Sequence, residues 1–211
     1  MKTFVNTVIT KEELLKELKW HQEQDNFVKG TYFKQGKGCA VGCSIESINR
    51  TKGLSYKTDD HSKYPEIMGV PEWLARVEDA IFEGLSIKRS KVWPLEFTQA
   101  INVGAELDKI KPAFLIFVLE SNLERLQDDK LKEQRKVVED VIKLWKREDL
   151  CFRDWVSAAE SAAWSAAWSA ASAARSAEFA ARSAARSAES AASAEYEKFA
   201  DKLLELMRGC K

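Results

Sequence analysis

The sequence predicts a mainly α protein: a helical globular domain over residues 1–148, followed by one very long Ala/Ser-rich helix over residues 149–211. Three observations lead there. All four prolines (Pro65, Pro71, Pro94, Pro112) and all but one of the nine glycines lie at or before position 112, so Ala113 to Arg208 contains neither of the strongest helix breakers. The first half carries helix-start signals followed by apolar residues at helical spacing. Residues 157–196 repeat Ser-Ala-Ala-x, with some units shortened by one residue.

Thr10 and Glu13 form an S/T-x-x-E capping box ahead of Leu14, Leu15 and Leu18, which predicts a helix running to about Gln24. Phe27 to Phe33 is short and aromatic and reads as a strand or an extended loop. The Gly-rich run Gly36 to Cys43 follows, and Thr51 to Lys63 reads as a polar loop. Pro71 suits a first helical turn, where its missing N–H would be unpaired anyway. The helix it opens runs to about Phe82, with Trp73, Leu74, Val77, Ala80 and Ile81 as its apolar face. Pro94 and Pro112 each start another helix. Ala113 to Leu119 reads as a fully buried run. Lys130 to Lys146 reads as amphipathic, with Leu131, Val137, Val138, Val141, Leu144 and Trp145 inward.

In the tail, the serine stripe from Ser157 to Ser193 advances about 3.6 residues per step, the α-helical repeat. The shortened units keep it on one face. Ala163, Ala166, Ala170, Ala174, Ala177 and Ala181 share a face with nothing larger. Trp164 and Trp168 lie on another, one turn apart. A rod of some fifty residues would span about 80 Å, twice the roughly 35–40 Å width of the globule. The expectation is a projecting helix that pairs with a second copy, with Trp164 and Trp168 meeting a partner. A hairpin in the rod and a solvated low-complexity helix are the alternatives.

Lys and Arg number 33 and Asp and Glu number 33, for a net charge of +0. Such a balance argues against a nucleic-acid partner. No run of about 18 apolar residues predicts a membrane span, and the N-terminus lacks the apolar stretch of a secretion signal. Cys39, Cys43, Cys151 and Cys210 are too scattered for a disulfide framework. The expected setting is the cytoplasm, with reduced thiols.

Candidate ligand-binding residues are His21, Asp25, Tyr32, Cys39, Cys43, Arg76, Asp79 and Glu83. At i, i+4, Asp25 can orient the His21 imidazole. The run Gly36-x-Gly38-Cys39-x-x-Gly42-Cys43 offers backbone N–H groups to an anion, and Cys39 at a helix start can have a lowered pKa and act as a nucleophile, paired with His21 or His61; Cys39, Cys43, His21 and His61 could also hold zinc. Buried cysteines at a tight turn are the structural alternative. Arg76 sits among Glu72, Asp79 and Glu83 on one helix face, as intrahelical ion pairs or as a cleft facing His21 and Asp25. Lys88, Arg89, Lys91 and Trp93 read as an anion-stacking lip or a solvated basic turn. C-x₃-C is not a usual zinc spacing. No metal or cofactor is expected, and no catalytic residue is singled out.

The elements His21-x-x-x-Asp25, Lys29-Gly30-Thr31-Tyr32, Gly38-Cys39-Ala40-Val41-Gly42-Cys43 and Pro71-x-x-Leu74-Ala75-x-x-Glu78-Asp79-x-Ile81-Phe82-Glu83-Gly84-Leu85 together resemble a family of phage, prophage and bacterial proteins of uncharacterised activity, over roughly residues 10–145. The tail resembles those of many phage-encoded and bacteriocin-immunity-like small proteins. The family pattern often has a second His before the first, where this chain has Trp20. The resemblance implies a phage or mobile-element setting, hence the host cytosol. It suggests an accessory protein that counters host defence. Such a protein would sequester a small anionic ligand, such as a nucleotide signal, or bind a host protein, without turnover. The alternatives are a hydrolase or transferase using His21 and Asp25 with Cys39 or with the carboxylates of the Glu72–Glu83 helix face, and an interaction module acting through its helical tail as a homo-oligomer.

Overall fold

The computed structural model describes residues 1–123, 132–146 and 185–211 and is mainly helical, as expected. The predicted tail positions Ala163, Trp164, Ala166, Trp168, Ala170, Ala174, Ala177 and Ala181 lie outside the described residues. The chain divides into two compact units. One comprises Met1–Lys111 with Ala191–Lys211, the other Pro112–Ser190. The boundary read from composition, at 148/149, is not one of these divisions. The last twenty-odd residues belong with the N-terminal globule.

In the first unit, α1 (Lys11–Glu23) opens with the Thr10/Glu13 capping box, both reciprocal bonds of which are formed. Leu14 and Leu18 bury its inner face. A small antiparallel hairpin follows, β1 (Phe33–Lys34) with β2 (Lys37–Gly38). Its turn residues Gln35 and Gly36 both have left-handed φ, 52° and 83°, the conformation a two-residue hairpin turn requires. Helix α2 (Ala40–Lys52) starts at Cys39 and ends at Gly53 in the left-handed region. A 3₁₀ turn, His61–Lys63, leads into α3 (Tyr64–Met68). Then come α4 (Glu72–Gly84), the short α5 (Ile87–Ser90) and α6 (Trp93–Ala100). Helix α1 packs on α2 and α6, and α2 packs on α4.

Leu18, Ile45, Ile48, Leu74, Phe82 and Trp93 are among the fully buried side chains of this core. The N-terminal segment is stitched across it. Thr3 N donates to Ala105 O, Phe4 N to Met68 O and Ile9 N to Ile67 O. Lys11 Nζ donates to Gln99 O and Ile101 O at the end of α6, where a cation suits the helix dipole.

A 3₁₀ turn (Leu107–Ile110) leads to α7 (Lys111–Leu123). In the second unit, α7 and α8 (Lys132–Trp145) are joined by an ion pair, Lys146 Nζ to Glu120 Oε1 at 2.7 Å. Burial differs from the sequence expectation in both helices. Of the apolar run at the start of α7, only Phe114 and Leu119 are buried; Ala113 is exposed and the rest are half-buried. Val137 of α8 points outward, 63% exposed, while Ile142 and Trp145 are buried. An unbroken apolar run covers every side of a helix, and in this one only Phe114 and Leu119 are fully buried.

Helix α9 (Ala185–Gly209) ends the chain. Over its part in the first unit it buries Ala200, Leu203, Leu204 and Met207. The Tyr196 ring lies against Gly84, where a Cβ would come within 2.2 Å of it. Arg89 bonds Glu96, Glu197 and Asp201, and Asn102 Nδ2 donates to Arg208 O and Cys210 O. The end of the tail is therefore a structural part of the globule. Among the described residues no helix is long and apolar enough to cross a membrane. Cys39, Cys43 and Cys210 are free and buried.

Candidate functional site

The Lys29-Gly30-Thr31-Tyr32 segment is pinned at both ends. Gly30 N donates to both Glu83 oxygens, at 3.0 and 3.1 Å, and Lys29 Nζ donates to Leu85 O. Two separated motifs of the sequence thus meet at the end of α4. Downstream, Cys39 N donates to Thr31 O at 2.8 Å and to Tyr32 O at 3.1 Å. A Cβ on Gly38 or Gly42 would lie 1.8 or 1.6 Å from Tyr32 O, so both glycines are there to let this backbone in.

With its backbone held, Tyr32 lays its ring edge-on to His61, the centroids 5.7 Å apart. His61 opens the 3₁₀ turn that Asp60 caps. Its Nε2 lies 3.5 Å from Asp79 Oδ2, near the middle of α4. His61 Nε2 and Asp79 Oδ1 are both buried without a hydrogen-bond partner. Behind them, on the core side of α4, Glu78 and Tyr64 are almost completely buried. Tyr64 Oη and Glu78 Oε2 are neighbours, but neither completes a hydrogen bond.

Burial dominates the electrostatics here. It pushes the Glu78 carboxyl up to about 8; the Tyr64 hydroxyl opposes this and the Asp79 charge adds to it. Glu78 is therefore mostly a neutral acid at pH 7. Burial, then the Glu78 charge, drives the Tyr64 hydroxyl well above its ordinary range. Tyr32 is raised by burial and then by Asp79. The Cys39 thiol goes far up through burial and then Asp79, although Gly42 N–H donates to its sulfur at 3.4 Å. The expected lowering of Cys39 at its helix start is thus reversed. One helix-end N–H cannot offset a buried site beside a carboxylate.

On the solvent side of Tyr32 lies an open groove of about 430 Å³, lined by Thr31, Tyr32, Phe33, Lys34, Lys57, Thr58 and Asp59. Lys34 and Lys57 are exposed on it. Tyr32 is both a wall of this groove and the ring against His61.

Of the residues singled out from sequence, Tyr32, Cys39 and Asp79 come together, with Glu83 at the edge holding Gly30. The others lie elsewhere. His21 is buried between Asn26 and Ser47, with Nδ1 3.3 Å from Asn26 Nδ2 and Nε2 3.1 Å from Ser47 Oγ. Burial and then the Arg50 charge lower it to about 4. Asp25 does not pair with it, because α1 stops at Glu23 and Asp25 turns out with φ 53°. Its carboxylate meets Lys91 at 2.6 Å. The Cys43 thiol points at Asn26 O and Gly38 O and is pushed up to about 12 by burial. Arg76 bonds Glu72 at 2.6 Å on the surface, which is the intrahelical ion pair.

The anion cradle does not form. Gly38 N donates to Asn26 O, Gly42 N to the Cys39 sulfur, and Cys39 N to Thr31 O and Tyr32 O. Nor does the basic lip, since Trp93 is buried with Nε1 on Glu78 O and Arg89 is bound by three carboxylates. Sequence reading weighed His61 only as a partner for Cys39 or a zinc ligand, and missed its pairing with Asp79 and the parts played by Tyr64 and Glu78. The one local signal for His61 was its cap, Asp60-His61-Ser62. Nothing local marks Glu78 as buried except its place beside Val77 on an apolar face.

Among the described residues no group of three or more His, Cys, Asp or Glu side chains is placed to hold a metal ion. Compared with protein-family models, curated proteins and solved structures, the chain matches none.

Proposed function

We propose that this chain binds a small anionic molecule in the groove between the Thr31–Lys34 segment and the Lys57–Asp59 loop, and holds it without turnover. The observation that carries the reading is the position of Tyr32, which joins a groove flanked by Lys34 and Lys57 to buried His61 and half-buried Asp79. Concave sites that combine an aromatic wall, a few polar groups and unpaired buried atoms are where ligands bind. Lys34 and Lys57 outnumber the Asp59 carboxylate on the groove, which leaves a net positive charge that favours an anion. The thiols of Cys39 and Cys43 are held protonated, which speaks against a cysteine-dependent hydrolase or transferase. The likeness of the motif core to phage proteins is the support for an anti-defence setting, with a nucleotide signal as the molecule sequestered. Self-association through the tail remains part of the proposal.

Isothermal titration of the full chain with pyrophosphate and with nucleoside mono- and diphosphates tests it. Binding is expected for the wild type, weakened at least about tenfold, or roughly 1.4 kcal/mol, by K34E/K57E. Heats indistinguishable from dilution for every anion sink the reading.

A further inference from the structure

We infer that the ligand of this groove carries a planar edge with two adjacent N–H donors opposite its anionic group, as a guanine nucleotide does. The inference rests on the ligand-binding reading above and deepens it.

Asp79 is the acceptor. Its Oδ1 is buried and accepts no hydrogen bond. Its Oδ2 lies 3.5 Å from His61 Nε2, out of line for one. Oδ1 has lost water and completes no hydrogen bond, although the Tyr32 hydroxyl and the Cys39 thiol lie near the carboxylate, so it favours a group that brings donors to it. Two oxygens on one plane match two parallel N–H groups, the bidentate arrangement that makes carboxylate recognition selective. Guanine presents N1–H and the exocyclic amino group side by side. Adenine presents one donor beside an acceptor, and that acceptor would face a carboxylate oxygen.

Tyr32 supplies the path. Its backbone is held by Cys39 N and the close approach of Gly38 and Gly42. The residue, by contrast, is 39% exposed; its ring lies edge-on to His61 and its hydroxyl near the Asp79 carboxylate. Rotation about its own side-chain bonds would take its hydroxyl away from Asp79 and open Asp79 and His61, which do not line the groove as it stands, without moving the main chain. The ring then has a free face for a base, beside Phe33 on the same groove. Lys34 and Lys57 sit on the groove's rim, where a phosphate group of the same ligand would meet them.

The test is isothermal titration of the full chain with GMP, IMP, AMP and ribose 5-phosphate, together with NMR of the side chains of its two histidines. GMP is expected to bind at least tenfold more tightly than AMP. IMP, which keeps N1–H and lacks the amino group, should fall between them. GMP should shift the His61 resonances and leave those of His21, buried beside Asn26 and Ser47, in place. D79N should reduce the GMP preference over AMP to less than threefold; an unchanged His21 signal shows that this variant is folded. If D79N does not fold, the wild-type ranking of GMP, IMP and AMP decides alone. Equal binding of all four ligands, or GMP binding that leaves His61 unshifted, overturns the inference and leaves the anionic groove standing. No binding of any of them, nor of pyrophosphate, removes both.

Discussion

His21 and Glu78 are both buried, and their environments shift them in opposite senses. In the unfolded chain His21 titrates near 6.5, and in the fold near 4. Its contribution to stability is complete above pH 6.5 and is lost as pH falls toward 4. Glu78 moves from 4.5 to about 8, so its contribution is complete below pH 4.5 and is lost as pH rises through 8. Urea denaturation of wild type and E78Q at pH 5, 7 and 9 should show wild type losing ground to E78Q as pH rises. A constant difference would mean that Glu78 is not buried as a neutral acid. The glycines act by sterics instead. Gly42→Ala places a methyl group on Tyr32 O, so it should destabilise by about 2 kcal/mol or more. An unchanged melting curve would mean that the Tyr32 segment can move away freely.

At the scale of elements, α4 organises the molecule. One of its ends holds Glu83 against Gly30, its middle carries Asp79 toward His61, and its inner face buries Glu78 with Val77 and Ile81. The C-terminal helix packs where α4 ends, with Tyr196 over Gly84 and Leu203, Leu204 and Met207 buried. Each of these aliphatic side chains contributes to the core of the first unit, so L203A should cost about 2–5 kcal/mol. Truncation after Ser190 should abolish the cooperative transition of the globule, read by far-UV circular dichroism during thermal melting. A truncated chain that melts like the full one would show the helix to be an accessory.

At the scale of the whole molecule, the first unit is discontinuous in sequence. The chain leaves it at Lys111, whose ammonium lies over the Trp73 ring near the start of α4, and contacts it again through Tyr196 at the end of α4. Those two ends of a 13-residue helix are separated by about 20 Å. A Gly/Ser linker of about twenty residues, with a root-mean-square span of roughly 25 Å, should therefore replace residues 112–190. The shortened chain is expected to keep a single cooperative transition and the ligand affinity of the full protein. Loss of affinity with the fold intact would assign the middle segment to the site.

What the sequence by itself determined was local. The capping box at Thr10, the Pro-led starts near Pro71, Pro94 and Pro112, and the helical character of the chain follow from short-range propensities and periodicity. Tyr32, Cys39 and Asp79 could be singled out by type, and His61 weighed as a partner for Cys39, yet the His61–Asp79 pair and Glu78 could not, because they become a site only when a polar loop and an apolar helix face are brought together. Spacing suggested His21 with Asp25. The helix end at Glu23 separates them, and Asn26 and Ser47 take the imidazole instead. Only the tertiary structure decided which glycine N–H groups were already used, which way burial drove the Cys39 thiol, and that the last helix completes the first domain. Propensity acts between neighbours in sequence, whereas desolvation and hydrogen-bond competition act between neighbours in space.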